Sequence, residues 1–208
     1  MKRKTDPGPR LWRHDRKIAR VSGLICGIDE VGRGPLAGNV MAACVVLDLN
    51  AGHIPGLNDS KQLTPQARKS LFPVIRERAL AWSIGEASPE EIDRVNILQA
   101  TFLAMRRALE SLSLKPALLL VDGNKKIPGV DVPQKTMVGG DGLSASIAAS
   151  SVLAKVIRDG IMEEWDKRLP AYGFGRHKGY GTREHCNVLL QLGLSSIHRR
   201  SFCSAFGP

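Results

Sequence analysis

The chain has 208 residues, of which 43% are hydrophobic and 24% charged, and it carries a formal net charge of +10. That length bounds one domain with a sizeable core, in the composition range of ordinary globular proteins. No run approaches the ~18 consecutive apolar residues of a membrane span, and the charged start Met1-Lys2-Arg3-Lys4 has no apolar segment behind it, which argues against a secretory signal and for a cytoplasmic protein without membrane association.

The basic balance favours polyanionic partners, nucleic acid above all. Residues 1–20 crowd Lys2, Arg3, Lys4, Arg10, Arg13, Arg16, Lys17 and Arg20, and read as a basic, poorly ordered N-terminal arm. Residues 21–208 read as a single domain. Residues 24–30 and 39–47 are apolar and predict two strands, joined by a loop with Gly32, Gly34 and Gly38. Thr64-Pro65 starts a helix that runs to about Leu80, with Pro73 a possible interruption. Ala81–Glu86 predicts a third strand. Ser88-Pro89-Glu90-Glu91 repeats the helix-start chemistry, and Val95–Ser113 reads as one longer helix.

Residues 117–121 form a short apolar run of the kind buried on both faces of a sheet. Gln134–Val138 predicts a fifth strand. From about Leu143 a long helix follows, with Ile147, Ser150, Ala154, Ile157 and Ile161 recurring at helical spacing. Residues 182–192 predict another helix. Strands first, then helices alternating with strands, give an α/β fold with a five-stranded mixed sheet flanked by helices. Cys26, Cys44, Cys186 and Cys203 show no metal-site spacing and are expected as reduced thiols.

Asp29-Glu30, Asp122 and Asp141 each sit at or directly after the end of a predicted strand. Sites in such sheets form at strand ends, so these acids can converge on one edge. Clustered carboxylates repel each other unless a cation sits among them. An oxygen-only donor set suits Mg²⁺ or Mn²⁺, and two such ions ~4 Å apart serve phosphodiester hydrolysis. Each acid alone also fits a plain reading, with Asp122 as a turn residue and Asp141 as a helix cap. Consecutive strand residues point to opposite faces, so either the strand breaks at Glu30 or Glu30 acts less directly than Asp29. Lys61, Lys155 and Arg158 are candidates for holding phosphates or acids, although Lys155 and Asp159 also suit a simple helix pair. His177 and His198 are expected to make loop and backbone contacts rather than to act as bases.

The segments Gly27-Ile-Asp-Glu-Val-Gly-Arg-Gly-Pro-Leu-Ala-Gly38, Asn58-Asp-Ser-Lys61, Val121-Asp-Gly123, Gly140-Asp141, Ser146–Asp159, His177-Lys-Gly-Tyr-Gly-Thr182 and His198-Arg-Arg-Ser-Phe202 resemble bacterial ribonuclease HII. The resemblance covers about residues 24–202, and several motifs in the same order make it specific. It implies a ribonuclease H-like fold and cleavage of the RNA strand of an RNA–DNA hybrid, including single ribonucleotides embedded in duplex DNA. The cut implied is on the 5′ side of the ribonucleotide and leaves a 3′-hydroxyl and a 5′-phosphate, with Mn²⁺ or Mg²⁺ as cofactor.

Within that resemblance Asp29, Glu30, Asp122 and Asp141 match the catalytic, metal-binding acids. Gly32-Arg33-Gly34 matches the loop that recognises the 2′-hydroxyl, the group that distinguishes RNA from DNA. Tyr180 matches the tyrosine at the RNA–DNA junction, and Lys61 joins the substrate-binding set. Ser150-Ser151 departs from a frequent Ala-Ser and is expected to touch no ligand. The related ribonuclease HIII has an extra N-terminal substrate-binding domain, for which the 20-residue arm is too short. A monomer is expected. Two rivals remain at this point: another ribonuclease H-like nuclease of the resolvase type, and a non-catalytic basic nucleic-acid-binding protein.

Overall fold

The computed structural model describes residues 6–206. Ile25–Val31 (β1), Val40–Leu47 (β2), Ala79–Ala87 (β3), Leu118–Asp122 (β4) and Gln134–Met137 (β5) form one sheet in the order β3-β2-β1-β4-β5. β1 pairs antiparallel with β2 and β2 with β3, whereas β4 lies parallel to both β1 and β5. All eight residues of β2 are buried, because this interior strand is covered on both faces.

Alternate residues divide the core in two. Cys26 and Ile28 of β1, with Cys44 and Val46 of β2, pack against Phe102 and Met105 of the helix Ile97–Glu110. On the other face Ala43, Val45 and Leu47 pack against Ala148 and Val152 of the helix Ala145–Arg168. That long helix lies so close to β1 that a Cβ at Gly27 would sit 2.2 Å from the Ser146 backbone, so only glycine fits there.

The helices are Gly8–Ser22 (α1), Pro65–Arg78 (α2), Pro89–Val95 (α3), Ile97–Glu110 (α4), Ala145–Arg168 (α5), Phe174–His177 (α6) and Arg183–Leu192 (α7). α1 corrects one expectation. Residues 1–5 of the expected arm lie outside the described residues, but from Gly8 onward the chain is helical and docked. Leu11 is fully buried and Trp12 is 5% exposed, with the indole Nε1 donating to the Leu49 carbonyl at 3.0 Å. Burying two such side chains is worth roughly 1.5–3 kcal/mol each. Asp15, also fully buried, accepts from Ser144 Oγ at 3.0 Å and from the Ser146 amide at 2.8 Å, which ties α1 to the N-terminus of α5. Arg10, Arg13, Arg16, Lys17 and Arg20 all face solvent. Their density hid the narrow stripe at 8, 11, 12 and 15, and α1 shares one core cluster with the rest of the chain, so no boundary falls at residue 20.

Other differences are local. The helix expected over 95–113 is split, because Asn96 has φ +69° and its side chain caps α4 by accepting from the Leu98 and Gln99 amides. Pro73 does not interrupt α2, since it sits on an exposed part of the helix where water can satisfy the carbonyl that loses its donor. Ser144, not Asp141, caps α5. Among the described residues no helix is long and apolar enough to cross a membrane, and all four cysteines are free.

Candidate active site

Asp29 lies within β1 rather than after it. The strand stays paired with β2 as far as Val31, opposite Met41, so it does not break at Glu30. Asp29 therefore points to the α5 face and Glu30 to the α4 face. The parallel register that pairs Ile28 with Val121 makes Asp29 and Asp122 the next neighbours on adjacent strands. Asp141 reaches the same edge from a short 3-10 turn, Gly140–Gly142, that follows β5. Asp122 Oδ1 accepts from the Gly140 amide at 2.7 Å, so one acid anchors the turn that carries another.

These acids are poorly compensated. Asp29 is 3% exposed. Burial, and then the charges of Glu30 and Asp122, push its carboxyl well above the usual carboxylate range, against a hydrogen bond from Ser151. Burial also raises Glu30, although Arg33 Nη1 lies 3.1 Å from its Oε1 and opposes the shift. Burial raises Asp141, with Lys61 pulling it down and Asp59 pushing it up. Burial works against the Lys61 ammonium, but Asp141, 3.3 Å away, outweighs it and holds the lysine above its usual value. Asp122 Oδ2 and Glu30 Oε2 have no hydrogen-bond donor among the described residues. Nor do three carboxylate, His or Cys side chains there form a ready-made ligand sphere. The set is nevertheless all oxygen, crowded and electrostatically unfavourable by itself, which fits a hard divalent cation.

The sequence assigns no role to three of these neighbours, although they lie within the segments Asn58–Lys61 and Ser146–Asp159 that carry the resemblance. Ser151 was expected to touch no ligand, yet it sits close enough to Asp29 to lower its pKa, and Ser60 Oγ backs it at 2.8 Å. Ser150 instead bonds the Gly27 and Ser146 carbonyls, away from the acids. Asp59 lies close enough to Asp141 to raise its pKa. No spacing rule marks these residues, because Asp59-Ser60 and Ser151 come from two segments far apart in the chain.

Two cavities flank the acids. One, on the α5 side, is lined by Asp29, Glu30, Lys61, Ser151, Lys155 and Tyr180. The other, on the α4 side, is lined by Glu30, Arg33, Phe102, Asp122 and Asn124. Glu30 borders both. Gly32 has φ +87°, and a Cβ there would lie 2.3 Å from Arg158 Nε. The Tyr180 ring, 41% exposed, passes 3.9 Å from where a Cβ on Gly34 would stand. Thus the glycine loop and Tyr180 face each other beside the acids. Lys155 pairs with Asp159 at 2.7 Å, and its ammonium sits 5.9 Å from the centre of the Tyr180 ring.

The histidines hold the tyrosine segment. His198 Nδ1 accepts from the Ser195 amide at 2.9 Å, which leaves the proton on Nε2. That proton points at His185 Nε2, 3.0 Å away, and His185 Nδ1 in turn donates to the Tyr180 carbonyl at 2.9 Å. His177 Nδ1 accepts from the Gly179 amide at 3.2 Å. These rings make backbone contacts and sit apart from the acids.

A family model described as Ribonuclease HII matches residues 26–205. A curated relative of that name from Chlorobium luteolum is 56% identical over 182 residues, which is 86% of this chain and 88% of that protein. Another, from Dechloromonas aromatica, is 56% identical over 180 residues, 86% of this chain and 91% of that protein. Among solved structures the chain is similar to the ribonuclease H2 of Pyrococcus horikoshii OT3, with a TM-score of 0.70 and 25% identity over 88% of this chain and 96% of that one. A match that runs from β1 to the C-terminal turns leaves neither rival reading standing: the chain belongs to the ribonuclease HII family, hydrolases with ribonuclease H endonuclease activity on RNA–DNA hybrids.

Proposed function

We propose that the chain incises 5′ of a ribonucleotide, both in RNA–DNA hybrids and at single ribonucleotides embedded in duplex DNA, and leaves a 3′-hydroxyl and a 5′-phosphate. Asp29, Glu30, Asp122 and Asp141 would hold Mg²⁺ or Mn²⁺. Such ions activate a water and neutralise charge on the leaving oxygen when bound. The observation that carries this reading is the side-by-side placement of Asp29 and Asp122 on adjacent strands, with Glu30 and Asp141 at the same edge and Asp29 buried and repelled by the others.

The chain's own groups supply recognition. Gly32-Arg33-Gly34 approaches the sugar closely enough to test for a 2′-hydroxyl, which both donates and accepts hydrogen bonds. Tyr180, facing Gly34, offers a ring to the sugar at the RNA–DNA junction. Lys61 and Arg33 each pair with an acid and lie at the mouth of a cavity, where they also meet substrate phosphates. In this reading Asp29 acts most directly and Glu30 less so, because the two leave the strand on opposite faces.

The test is a DNA duplex with one ribonucleotide, incubated with the protein and either ion, with the cut mapped and the new ends typed. Incision 5′ of the ribonucleotide that depends on added ion supports the reading. Ion-independent cutting, or a cut elsewhere, overturns it. Tyr180→Phe should keep incision at the single ribonucleotide within about 3-fold, and Tyr180→Ala should lower it at least ~10-fold, the scale of one lost stacking contact. Equal activity in both variants removes the tyrosine's role.

A further inference from the structure

Arg199 is fully buried, yet no carboxylate pairs with its guanidinium among the described residues. An arginine has five N–H donors in a rigid fork, and here all five are used on backbone carbonyls. Nε donates to Gly38 at 2.9 Å. Nη1 donates to Arg33 at 3.1 Å and to Pro35 at 2.7 Å. Nη2 donates to Gly32 and again to Gly38, both at 2.6 Å. The four acceptors are the carbonyls of the loop that follows Asp29-Glu30. The backbone around Arg199 holds the same loop, since its amide donates to Leu36 at 2.8 Å and the Gly38 amide donates to Ile197 at 2.9 Å.

A loop with four carbonyls drawn to one interior point must turn other groups outward. The amides of Arg33 and Gly34 have no backbone acceptor among the described residues. They lie where the Tyr180 ring approaches Gly34. We infer that Arg199 is the positioning residue of the ribose-reading loop: its five hydrogen bonds turn the carbonyls of Gly32, Arg33, Pro35 and Gly38 inward and so present the amides of Arg33 and Gly34 to the 2′-hydroxyl of the substrate. This rests on the reading of Gly32–Gly34 as the ribose-recognition loop.

The residue type follows from the task. Lysine has three donors on a flexible stem and cannot serve four carbonyls at once. A carboxylate partner would take donors from the loop, and none is present. Arg158 extends the device. Its Nε donates to Asn39 at 3.1 Å, its Nη2 to Ala37 at 3.1 Å and its Nη1 to Lys178 at 3.0 Å, which links the loop to the segment carrying Tyr180.

The experiment measures binding of two duplexes, all-DNA and with one ribonucleotide, in an Asp29→Asn background that removes cleavage. Arg199 as found is compared with Arg199→Lys and Arg199→Gln, with folding followed by circular dichroism. With Arg199 present, the ribonucleotide duplex is expected to bind at least ~10-fold tighter. In the folded variants that preference should shrink to within about 2-fold, while affinity for the all-DNA duplex stays within about 2-fold. A general structural defect would weaken both duplexes together, and that result overturns the inference. A folded variant that keeps its preference also overturns it while leaving the ribose-reading loop standing. Absence of preference with Arg199 present overturns both readings. If neither variant folds, Arg199 belongs to the fold rather than to the loop, and the inference is overturned.

Discussion

Two groups of buried charge sit on either side of Gly32, and they are treated in opposite ways. Asp29, Glu30 and Asp141 are acids whose charged forms are disfavoured by burial and by one another. Arg158 and Arg199 are cations whose charged forms are also disfavoured: burial, and then Arg158, push Arg199 down to about 9. The difference lies in hydrogen bonding. Arg199 has an acceptor for every donor, and Arg158 has three carbonyls. Among the acids, Glu30 Oε2 and Asp122 Oδ2 have no donor among the described residues, while both Asp141 oxygens have one. A saturated buried charge fixes the backbone around it, whereas an unsaturated one keeps affinity for something else. In the proposed function, recognition and cleavage are thus adjacent in sequence but rest on different physics.

Asp29→Asn should break the acid side most visibly. Ion-dependent incision should fall by at least ~10³-fold, the upper scale for loss of one electrostatic catalytic group. The ion-free protein should become more stable by about 1 kcal/mol, because repulsion is relieved. Thermal melting in a chelator measures the second effect, and a less stable variant would mean that the acids are compensated after all. On the saturated side the sign should reverse. Arg158→Met leaves three carbonyls without donors, so stability should fall by about 3 kcal/mol at urea midpoint. A loss under about 1 kcal/mol would erase the contrast.

The histidines extend the saturated side and predict its pH response. Burial, and then His185, push His198 down to about 4. A histidine depressed in the folded state contributes stability that is present above its ordinary value near 6.5 and lost as pH falls toward 4. The raised acids act the other way, since their contribution is lost as pH rises through their folded values. Asp29→Asn should therefore leave a steeper loss of stability on acidification than the parent chain shows between pH 6.5 and 4, with a difference of about 1 kcal/mol in urea. Parallel curves would show that the two sides do not oppose each other. The smallest effect expected is at Lys61, the one lysine paired with a site acid among the described residues. Lys61→Gln should tighten Mn²⁺ binding by about 3-fold, because a competing cation leaves Asp141, and should change stability by less than ~1 kcal/mol, because the lysine end of the pair is solvated. Titration calorimetry reads the affinity, and weaker binding would make Lys61 a partner of the site rather than a competitor.

Much of the fold was legible. The apolar runs ending at Asp29 and Asp122 became strands, since a segment buried on both faces has to be apolar along its length, and the partly exposed, more polar Gln134–Met137 became the strand before the turn that carries Asp141. α1 was not legible, because five exposed cations masked four buried positions and because Asp15, a polar residue, does the docking. Asn96 was missed for a related reason: a single left-handed residue splits a helix whose apolar spacing runs straight through it. At the site, the four acids and the glycine loop carried their own signal in residue type and order. Ser151, Ser60 and Asp59 lie in resembling segments but drew no role, as a serine or aspartate beside a carboxylate looks like any other until the chain brings it there.

The sequence by itself determined which chemistry is available. Oxygen donors without histidine or cysteine ligands, glycines beside them and a basic surface are matters of residue type. Only the tertiary structure decided how those groups are spent. Strand pairing through Val31 set Asp29 and Glu30 on opposite faces, packing left Glu30 and Asp122 each with an oxygen short of a donor, and a residue 167 positions from Gly32 closed its fork on the loop. Hydrogen-bond saturation depends on which groups meet, and contacts between distant segments are fixed by the core rather than by local pattern.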